Sequence, residues 1–124
     1  MKTYQGSRVD SVAEVEVEGQ PLNPRLDLWN HSPTGFEWGY GGSGPAQLAL
    51  ALLADHLGND DEAVRLHQEF KAVVIAGLPR GQWVLTSLEI QQAIERLKDG
   101  GPAHAEETEN GGPYGQRSNR LETL

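Results

Sequence analysis

The residue types best suited to chemistry are concentrated in one stretch, residues 30–44, which reads NHSPTGFEWGYGGSG. Five glycines in this stretch are interspersed with the aromatic residues Phe36, Trp38 and Tyr40. Its last six residues, 39–44, match the pattern G-x-G-x-x-G, which in dinucleotide-binding folds lets the backbone approach a pyrophosphate at the start of a helix. The stretch therefore predicts a place where an anionic ligand could bind.

The surroundings of this motif argue against a complete dinucleotide-binding fold. Such a fold needs parallel strands joined by helices, whereas here one predicted helix follows another within the first 98 residues. Pro45 also removes one of the backbone N–H groups that would face a phosphate. We therefore keep only the more general expectation of an anion site at the start of a helix.

A helix that begins directly after these glycines presents unpaired backbone N–H groups and the positive end of its dipole, and both favour an anion. Ser43 adds a hydroxyl, and the aromatic rings offer faces on which a base or sugar could stack. Arg25 and Lys71 are candidate counter-charges, while Glu37 lies between two aromatic residues and would point outward or toward a ligand. We expect a small anionic or nucleotide-like ligand at residues 36–47. The candidate ligand-binding residues are Arg25, Phe36, Glu37, Trp38, Gly39, Tyr40, Gly41, Gly42, Ser43, Gly44, Gln47 and Lys71.

The same residues also allow two interpretations without a small ligand. In the first, Ser43 merely caps the helix, the aromatic side chains belong to the core and the glycines form tight turns. In the second, the stretch is a contact surface for another protein. The sequence alone leaves all three interpretations open.

The sequence contains an incomplete match to one catalytic motif, and no catalytic site is assigned from it. Residues 41–45, Gly-Gly-Ser-Gly-Pro, are similar to the nucleophile elbow G-x-S-x-G, but proline replaces the last glycine. Asp60 and His67 could complete the order Ser, Asp, His, although nothing in the spacing requires it. We therefore expect a binding module rather than an enzyme and name no catalytic residue.

Histidines and aspartates at the predicted ends of two helices raise the question of a metal site. The chain has no cysteine, so zinc sites with cysteine ligands are excluded. His56 and His67 lie on adjoining predicted helices near Asp55, Asp60 and Asp61, where solvated or capping roles are the usual ones. No metal ligand and no cofactor is predicted.

The composition narrows the class of protein and of partner. Ten Lys and Arg against eighteen Asp and Glu give a net charge of −8 over 124 residues, which disfavours direct nucleic-acid binding. The longest nearly apolar run, residues 45–54, is too short to cross a bilayer, and the first ten residues lack the apolar segment of a secretory signal. We expect a cytoplasmic protein with no membrane contact, and an acidic surface that could instead occupy a basic groove on a partner protein.

Three helices are predicted after the glycine-rich stretch. The first, from Pro45 to Leu57 with Ser43 or Gly44 as N-cap, is apolar nearly all round and should form the buried centre. The second begins at Asn59, and the third is preceded by Thr86, which forms a capping-box pattern with the glutamate three residues later.

The strands are predicted mainly from alternation. Residues 12–18 and 25–29 alternate between apolar and polar and are expected to form an antiparallel pair. Residues 3–8 are interpreted as a short extended piece with a turn at Gly6, residues 36–38 as a possible short strand, and residues 83–85 as a further strand.

These elements predict an α+β fold, with a small antiparallel sheet of about three to four strands packed on a central buried helix plus two further helices. The folded domain should comprise residues 1–98. Residues 99–124 are predicted to be a flexible, acidic, Gly/Pro-rich tail. A domain of this size is also expected to expose an apolar strand edge or helix face. A second copy of the chain could bury that surface, so a homo-oligomer is possible.

Residues 32–58, SPTGFEWGYGGSGPAQLALALLADHLG, resemble the signature of a small family of uncharacterised proteins from bacteria, archaea and their phages, known as a domain of unknown function. The flanking sequence is similar too, and the resemblance covers about residues 4–94. The matching flanks are Tyr4-Gln-Gly-Ser-Arg8, Phe70-Lys71, and Trp83 with Leu85. The resemblance implies a domain boundary and little mechanism. Members of this family occur on mobile elements. The resemblance therefore implies an alternative function, in which this chain is an acidic protein that interacts with or inhibits another protein in host–phage conflict.

Overall fold

The computed structural model describes residues 1–99. The elements in chain order are β1 (Thr3–Val9), β2 (Val12–Val17), β3 (Gln20–Pro21), α1 (Ser43–Leu57), α2 (Asp60–Val73), a single 3-10 turn (Ile75–Gly77), β4 (Trp83–Thr86) and α3 (Ser87–Lys98). The four strands form one sheet and three helices accompany it, which confirms the predicted α+β fold. The predicted tail, apart from Asp99, lies outside the described residues.

The sheet is entirely antiparallel, with the strand order β3-β2-β1-β4. Strands β1 and β2 form a hairpin in which Val9 pairs with Val12. The two residues between them, Asp10 and Ser11, both have positive φ angles, 52° and 68°. Positive φ at both positions is typical of the two-residue turns whose twist matches that of paired strands.

The partner predicted for β2 was wrong, because residues 25–29 form a turn and not a strand. Arg25 adopts a left-handed backbone with φ +57°, and its carbonyl accepts a hydrogen bond from the Leu28 N–H at 3.0 Å. The chain therefore reverses where alternation predicted an extended segment. The N-terminal strand β1 takes the place beside β2 instead.

The turn predicted at Gly6 was also wrong, since this glycine lies in the middle of β1 opposite Trp83. A Cβ atom at Gly6 would lie 2.4 Å from atoms of the Trp83 ring. The residue is glycine because the indole needs that space, and the strand continues through it.

The helical layer packs on one face of the sheet and is built around α1. Residues 44–54 of α1 are all buried, as predicted for the central helix. On β1, Tyr4 points into this core, and its hydroxyl donates a 2.6 Å hydrogen bond to Asp55 near the end of α1. The opposite face of the sheet carries the exposed side chains of Val9, Val12 and Val84.

The helix starts test the capping predictions. The Asn59 side chain accepts from the Glu62 N–H, and Thr86 forms the complete capping box with Glu89. Helix α1 differs, because its N-cap is Gly42 and neither Ser43 nor Gly44.

The stretch before α1 is irregular, so the short strand considered for residues 36–38 is absent from the part of the chain that the structure describes. Among residues 1–99, none of the helices has the length and apolar character that a bilayer crossing requires.

Candidate functional site

An open pocket of about 580 Å³ lies beside the start of α1. Four side chains line it: Arg8, Glu37, Tyr40 and Arg80. Arg8 comes from the end of β1, Glu37 and Tyr40 from the irregular stretch before α1, and Arg80 from the loop before β4. Two cations, one carboxylate and one phenol therefore converge from three parts of the chain.

Arg8 and Glu37 form a two-point ion pair within the pocket. The Arg8 Nη1 and Nη2 groups donate to the two carboxylate oxygens of Glu37 at 3.2 and 3.0 Å. The Arg8 Nε donates to the Arg80 carbonyl at 2.8 Å. Such a planar pairing fixes the orientation of both groups as well as their distance.

Trp38 forms the floor beneath this ion pair. Its side chain is fully buried and meets the Trp83 ring edge-on, with centroids 5.5 Å apart. The Arg8 guanidinium lies 4.6 Å above the Trp38 ring, and the indole N–H donates to the Arg80 carbonyl at 2.9 Å. Trp38 therefore supports the pocket through packing and does not offer an open face to a ligand.

Two glycines at the start of α1 make room for the pocket's own side chains. A Cβ on Gly44 would lie 2.7 Å from the Glu37 Cβ, and one on Gly42 would lie 2.7 Å from the Tyr40 ring. The glycine-rich pattern thus brings the first turn of α1 against Glu37 and Tyr40. Its observed effect is the close approach of side chains, and a role of these glycines in binding an anion stays a prediction.

The first turn of α1 has no side-chain cap, because its N-cap residue is Gly42. The first N–H groups of a helix have no partner within the helix. Ser43 is exposed at this end, while the Gly39 N–H donates to the Ile75 carbonyl at 3.0 Å. Gly41, which lies between Gly39 and Ser43 in the sequence, is also exposed.

The charges in the pocket are unequally compensated. Hydrogen bonds from Arg8 hold the pKa of Glu37 below its usual value, so that the carboxylate is ionised at neutral pH. Within residues 1–99, by contrast, no carboxylate oxygen lies within 4.0 Å of the Arg80 guanidinium. That guanidinium lies 5.6 Å from the centre of the Tyr40 ring, which is 43% exposed.

Gln47 is one predicted site residue that the structure places elsewhere. Its side chain is fully buried, and its Nε2 donates to the carbonyls of Pro24 and Trp29 at 2.7 and 3.0 Å. Its Oε1 accepts from the N–H groups of His31 and Ser32 at 2.7 and 3.1 Å. Gln47 therefore holds the loop before α1 in place, and a ligand-binding role for it stays a prediction.

Of the predicted residues, only Glu37 and Tyr40 line the pocket, and those predicted outside the glycine-rich stretch or at its start have other contacts. Arg25 forms ion pairs with Asp27 and Asp60 at 3.1 and 3.0 Å. Phe36 is partly buried against the core. Lys71 lies on α2, and the structure does not bring it to the pocket.

Sequence reasoning missed the two arginines of the pocket. Arg8 occupies the inward-facing position that follows Tyr4 and Gly6 by alternation, so a continuous strand would have revealed a charged residue on the buried face. The turn assigned to Gly6 concealed this signal. Arg80 lies in a loop, and nothing local marks its side chain as part of a site.

The three histidines among residues 1–99 contact other side chains of the folded domain. His31 and His67 contact each other through their Nε2 atoms at 2.9 Å, and His56 contacts the Gln91 side chain at 2.7 Å. Within residues 1–99, no group of three or more His, Asp or Glu residues is arranged to hold a metal ion. No histidine of that same part of the chain is hydrogen-bonded to Ser43.

Comparison with known proteins identifies the family of this chain but assigns it no activity. Neither a curated protein nor a solved structure matches the chain. A family model does match, over residues 4–96, which include every side chain that lines the pocket. The chain therefore belongs to DUF6166, a family of unknown function.

Proposed function

We propose that this domain is a binding module that captures a small anionic, nucleotide-like ligand in the pocket of Arg8, Glu37, Tyr40 and Arg80. The observation that carries the proposal is the convergence of two guanidinium groups, a carboxylate and a half-exposed phenol around one open space. A ligand of this class offers an anion for a guanidinium and a flat ring for aromatic or guanidinium planes.

The size and construction of the pocket support the same proposal. Its volume of about 580 Å³ falls within the range of ~300–1,000 Å³ that is usual for small-molecule sites. Its walls are held in place by the Arg8–Glu37 ion pair and by the buried Trp38 floor. Side chains fixed in this way lose little further entropy when a ligand binds.

Thermal denaturation in the presence of a panel of nucleotides and cyclic nucleotides tests the proposal. A ligand at ten times its Kd should stabilise the protein by about 1.4 kcal/mol, which is a rise in Tm of roughly 4–7 °C for a chain of this size. The Arg80→Gln variant should lose this rise, because Arg80 is the pocket cation without a carboxylate partner among residues 1–99.

Arg65→Gln is the matched control, since Arg65 is exposed on α2 and lies outside the pocket. It should keep the full ligand-induced rise in Tm. An absence of stabilisation across the whole panel at millimolar concentration would count against the proposal. An equal rise in Arg80→Gln and in the wild type would place the binding elsewhere.

A second candidate function is interaction with a basic protein partner through the uncovered face of the sheet. Val9, Val12 and Val84 are 50%, 58% and 57% exposed on this face, where Glu14 and Glu16 also point outward. Apolar side chains beside carboxylates suit a partner that combines apolar and basic groups.

Affinity capture with two baits tests this second candidate, namely the wild-type protein and Val84→Glu. A basic partner held by the wild type and released by the variant would support it. Equal retention by both baits would show that this face is not the contact.

A further inference from the structure

Arg8 and Arg80 supply the two guanidinium groups of the pocket, and the structure uses these groups differently. The Arg8 nitrogens donate to both carboxylate oxygens of Glu37 and to the Arg80 carbonyl. Among residues 1–99, by contrast, no atom accepts a hydrogen bond from the Arg80 guanidinium, and no carboxylate lies within ion-pair distance of it. Because an arginine presents its N–H donors in a planar fork that matches carboxylate and phosphate oxygens, Arg80 is the pocket cation suited to pair with an anion.

Arg80 is held in place along its whole length. Its carbonyl accepts from the Arg8 Nε at 2.8 Å and from the Trp38 indole N–H at 2.9 Å. Its stem packs against Gly39, where a Cβ atom would lie 2.7 Å from the Arg80 Cδ. Its Cζ atom lies 5.6 Å from the centre of the Tyr40 ring, within the ~6 Å over which an aromatic face attracts a cation. Backbone, stem and guanidinium are therefore each fixed by a different neighbour.

The Tyr40 ring that lies under this guanidinium is itself packed against Gly42. A Cβ atom on Gly42 would lie 2.7 Å from the Tyr40 Cε2, so the absence of a side chain at position 42 lets the ring take this place. The ring thus has Gly42 close to one edge and Arg80 over its face. A ring of the ligand could stack on that face only if Arg80 moved away from it.

We propose that Tyr40 is a positioning residue for Arg80, which contributes to ligand binding by ordering this guanidinium and not by stacking on a ring of the ligand. The inference rests on the proposed function and deepens it, because the group that the pocket recognises is then the phosphate or carboxylate of the ligand. A mobile arginine side chain loses rotamer freedom when it binds an anion, and this loss weakens binding. The contact with Tyr40 orders the side chain before the ligand arrives.

The strength of the contact between Tyr40 and Arg80 limits the size of this effect. At an exposed site, an aromatic face favours the cation above it by an amount that corresponds to a population bias of roughly twofold to fivefold. The apparent affinity of a site is reduced by the fraction of molecules in the binding-competent conformation. Removing the ring should therefore weaken anion binding by about the same factor, whether or not the anion carries a ring of its own.

Two probes test the inference: methyl phosphate, which has no ring, and phenyl phosphate, which has one. Both carry close to two negative charges at about pH 7.5, and their affinities for the full chain are measured by NMR titration. In Tyr40→Leu, the affinity for both probes should fall by the same factor, roughly twofold to fivefold. Tyr40→Phe keeps the aromatic face and should retain the wild-type affinity for both probes.

Nitrogen-15 relaxation of the arginine Nε–H groups provides a readout that a general disturbance of the pocket would not reproduce. In Tyr40→Leu, the Arg80 Nε–H should become more mobile on the picosecond-to-nanosecond timescale. The Arg8 Nε–H, which is bonded to the Arg80 carbonyl, should keep its wild-type mobility. Trp29→Leu is the matched control, because Trp29 is an exposed aromatic residue outside the pocket, and it should change neither the affinities nor the mobility of Arg80.

A loss of affinity in Tyr40→Leu that is confined to phenyl phosphate would overturn the inference while leaving the pocket as a binding site, because Tyr40 would then contact the ring of the ligand. The inference would also be wrong if Arg80 kept its wild-type mobility in Tyr40→Leu, if both affinities stayed unchanged there, or if Tyr40→Phe lost as much affinity as Tyr40→Leu. If neither probe binds to the wild type, the proposed function itself fails. The relaxation measurement needs no ligand, so it still decides whether Tyr40 orders Arg80.

Discussion

His31 and His67 form a hydrogen-bonded pair that can hold only one proton between its facing nitrogens. The His67 Nδ1 lies 2.6 Å from the Val64 carbonyl and must therefore carry a proton. In the neutral ring this leaves the His67 Nε2 as an acceptor, so His31 donates from its own Nε2 across 2.9 Å. The Trp29 ring stacks on His31, with the ring centroids 5.0 Å apart. Adding a proton to the His67 Nε2 while His31 keeps its own Nε2 proton would place two N–H groups face to face and break this contact.

We expect the free energy of unfolding to fall as the pH decreases below about 6.5, the usual pKa of a histidine in an unfolded chain. Burial lowers the pKa of both His31 and His67, and Lys71 on α2 acts in the same direction. The unfolded chain therefore binds more protons than the folded protein in this range. The contribution of this pair to the free energy of unfolding is fully present above about pH 6.5 and decreases as the pH falls below that value. Urea denaturation between pH 7.5 and 5, monitored by tryptophan fluorescence, measures the effect.

Two variants separate this histidine pair from other acid effects. His31→Gln removes one titrating ring but can still donate to His67, so the loss of stability on acidification should become smaller. His56→Gln leaves the His31–His67 contact intact and should keep the loss. The assignment to this pair would be wrong if the free energy of unfolding increased on acidification. It would also be wrong if that free energy changed with pH equally in His31→Gln and in the wild type.

At the scale of single residues, the sequence predicted the site only where the interaction was local. Glu37 and Tyr40 could be chosen because both lie in the glycine-rich stretch that precedes the helix. Arg25 was chosen as a counter-charge by type alone, and its actual partners, Asp27 and Asp60, are set by a turn that alternation did not reveal. A guanidinium finds its partner through the tertiary fold, which one sequence does not specify.

At the scale of elements, the contact between β1 and β4 depends on a missing side chain. We expect Gly6→Ala to lower the free energy of unfolding by about 1–3 kcal/mol, because its Cβ would enter the space of the Trp83 ring. Gly77→Ala is the control, since nothing lies within 4 Å of a Cβ at that position, and its effect should stay within about 0.5 kcal/mol. Chemical denaturation of both variants measures the difference, and equal stabilities would show that Trp83 moves aside without cost.

Elements whose ends are specified by neighbouring residues were predicted correctly. Thr86 and Glu89 cap each other within one helical turn, and Asn59 accepts from the N–H three residues later. The strand pairing was predicted less well, because the choice between β1 and residues 25–29 as the partner of β2 depends on contacts far apart in sequence. The left-handed backbone of Arg25 ends the extended segment that alternation predicted. Arginine rarely adopts that conformation, so its presence in the sequence does not predict the turn.

At the scale of the whole molecule, the fold is organised around one apolar helix, α1. A helix that is buried along residues 44–54 must be surrounded, and in this chain two amphipathic helices and one face of an antiparallel sheet surround it. The pocket lies where β1, the loop before β4 and the start of α1 meet, so it exists only after the sheet and the helical layer have assembled. This dependence explains why composition and periodicity predicted the layers but only part of the site.

We expect residues 1–99 alone to fold and to retain the stability of the full chain. The core of the described residues is closed by α3, whose Ile90, Ile94 and Leu97 side chains are buried, and the acidic, Gly/Pro-rich composition of the remaining residues offers little apolar surface to add to it. The free energy of unfolding should agree with that of the full chain within about 0.5 kcal/mol. Urea denaturation and thermal melting of both proteins provide the comparison. A loss of more than about 1 kcal/mol on truncation would mean that residues 100–124 contribute to the folded domain, and its predicted boundary would then be wrong.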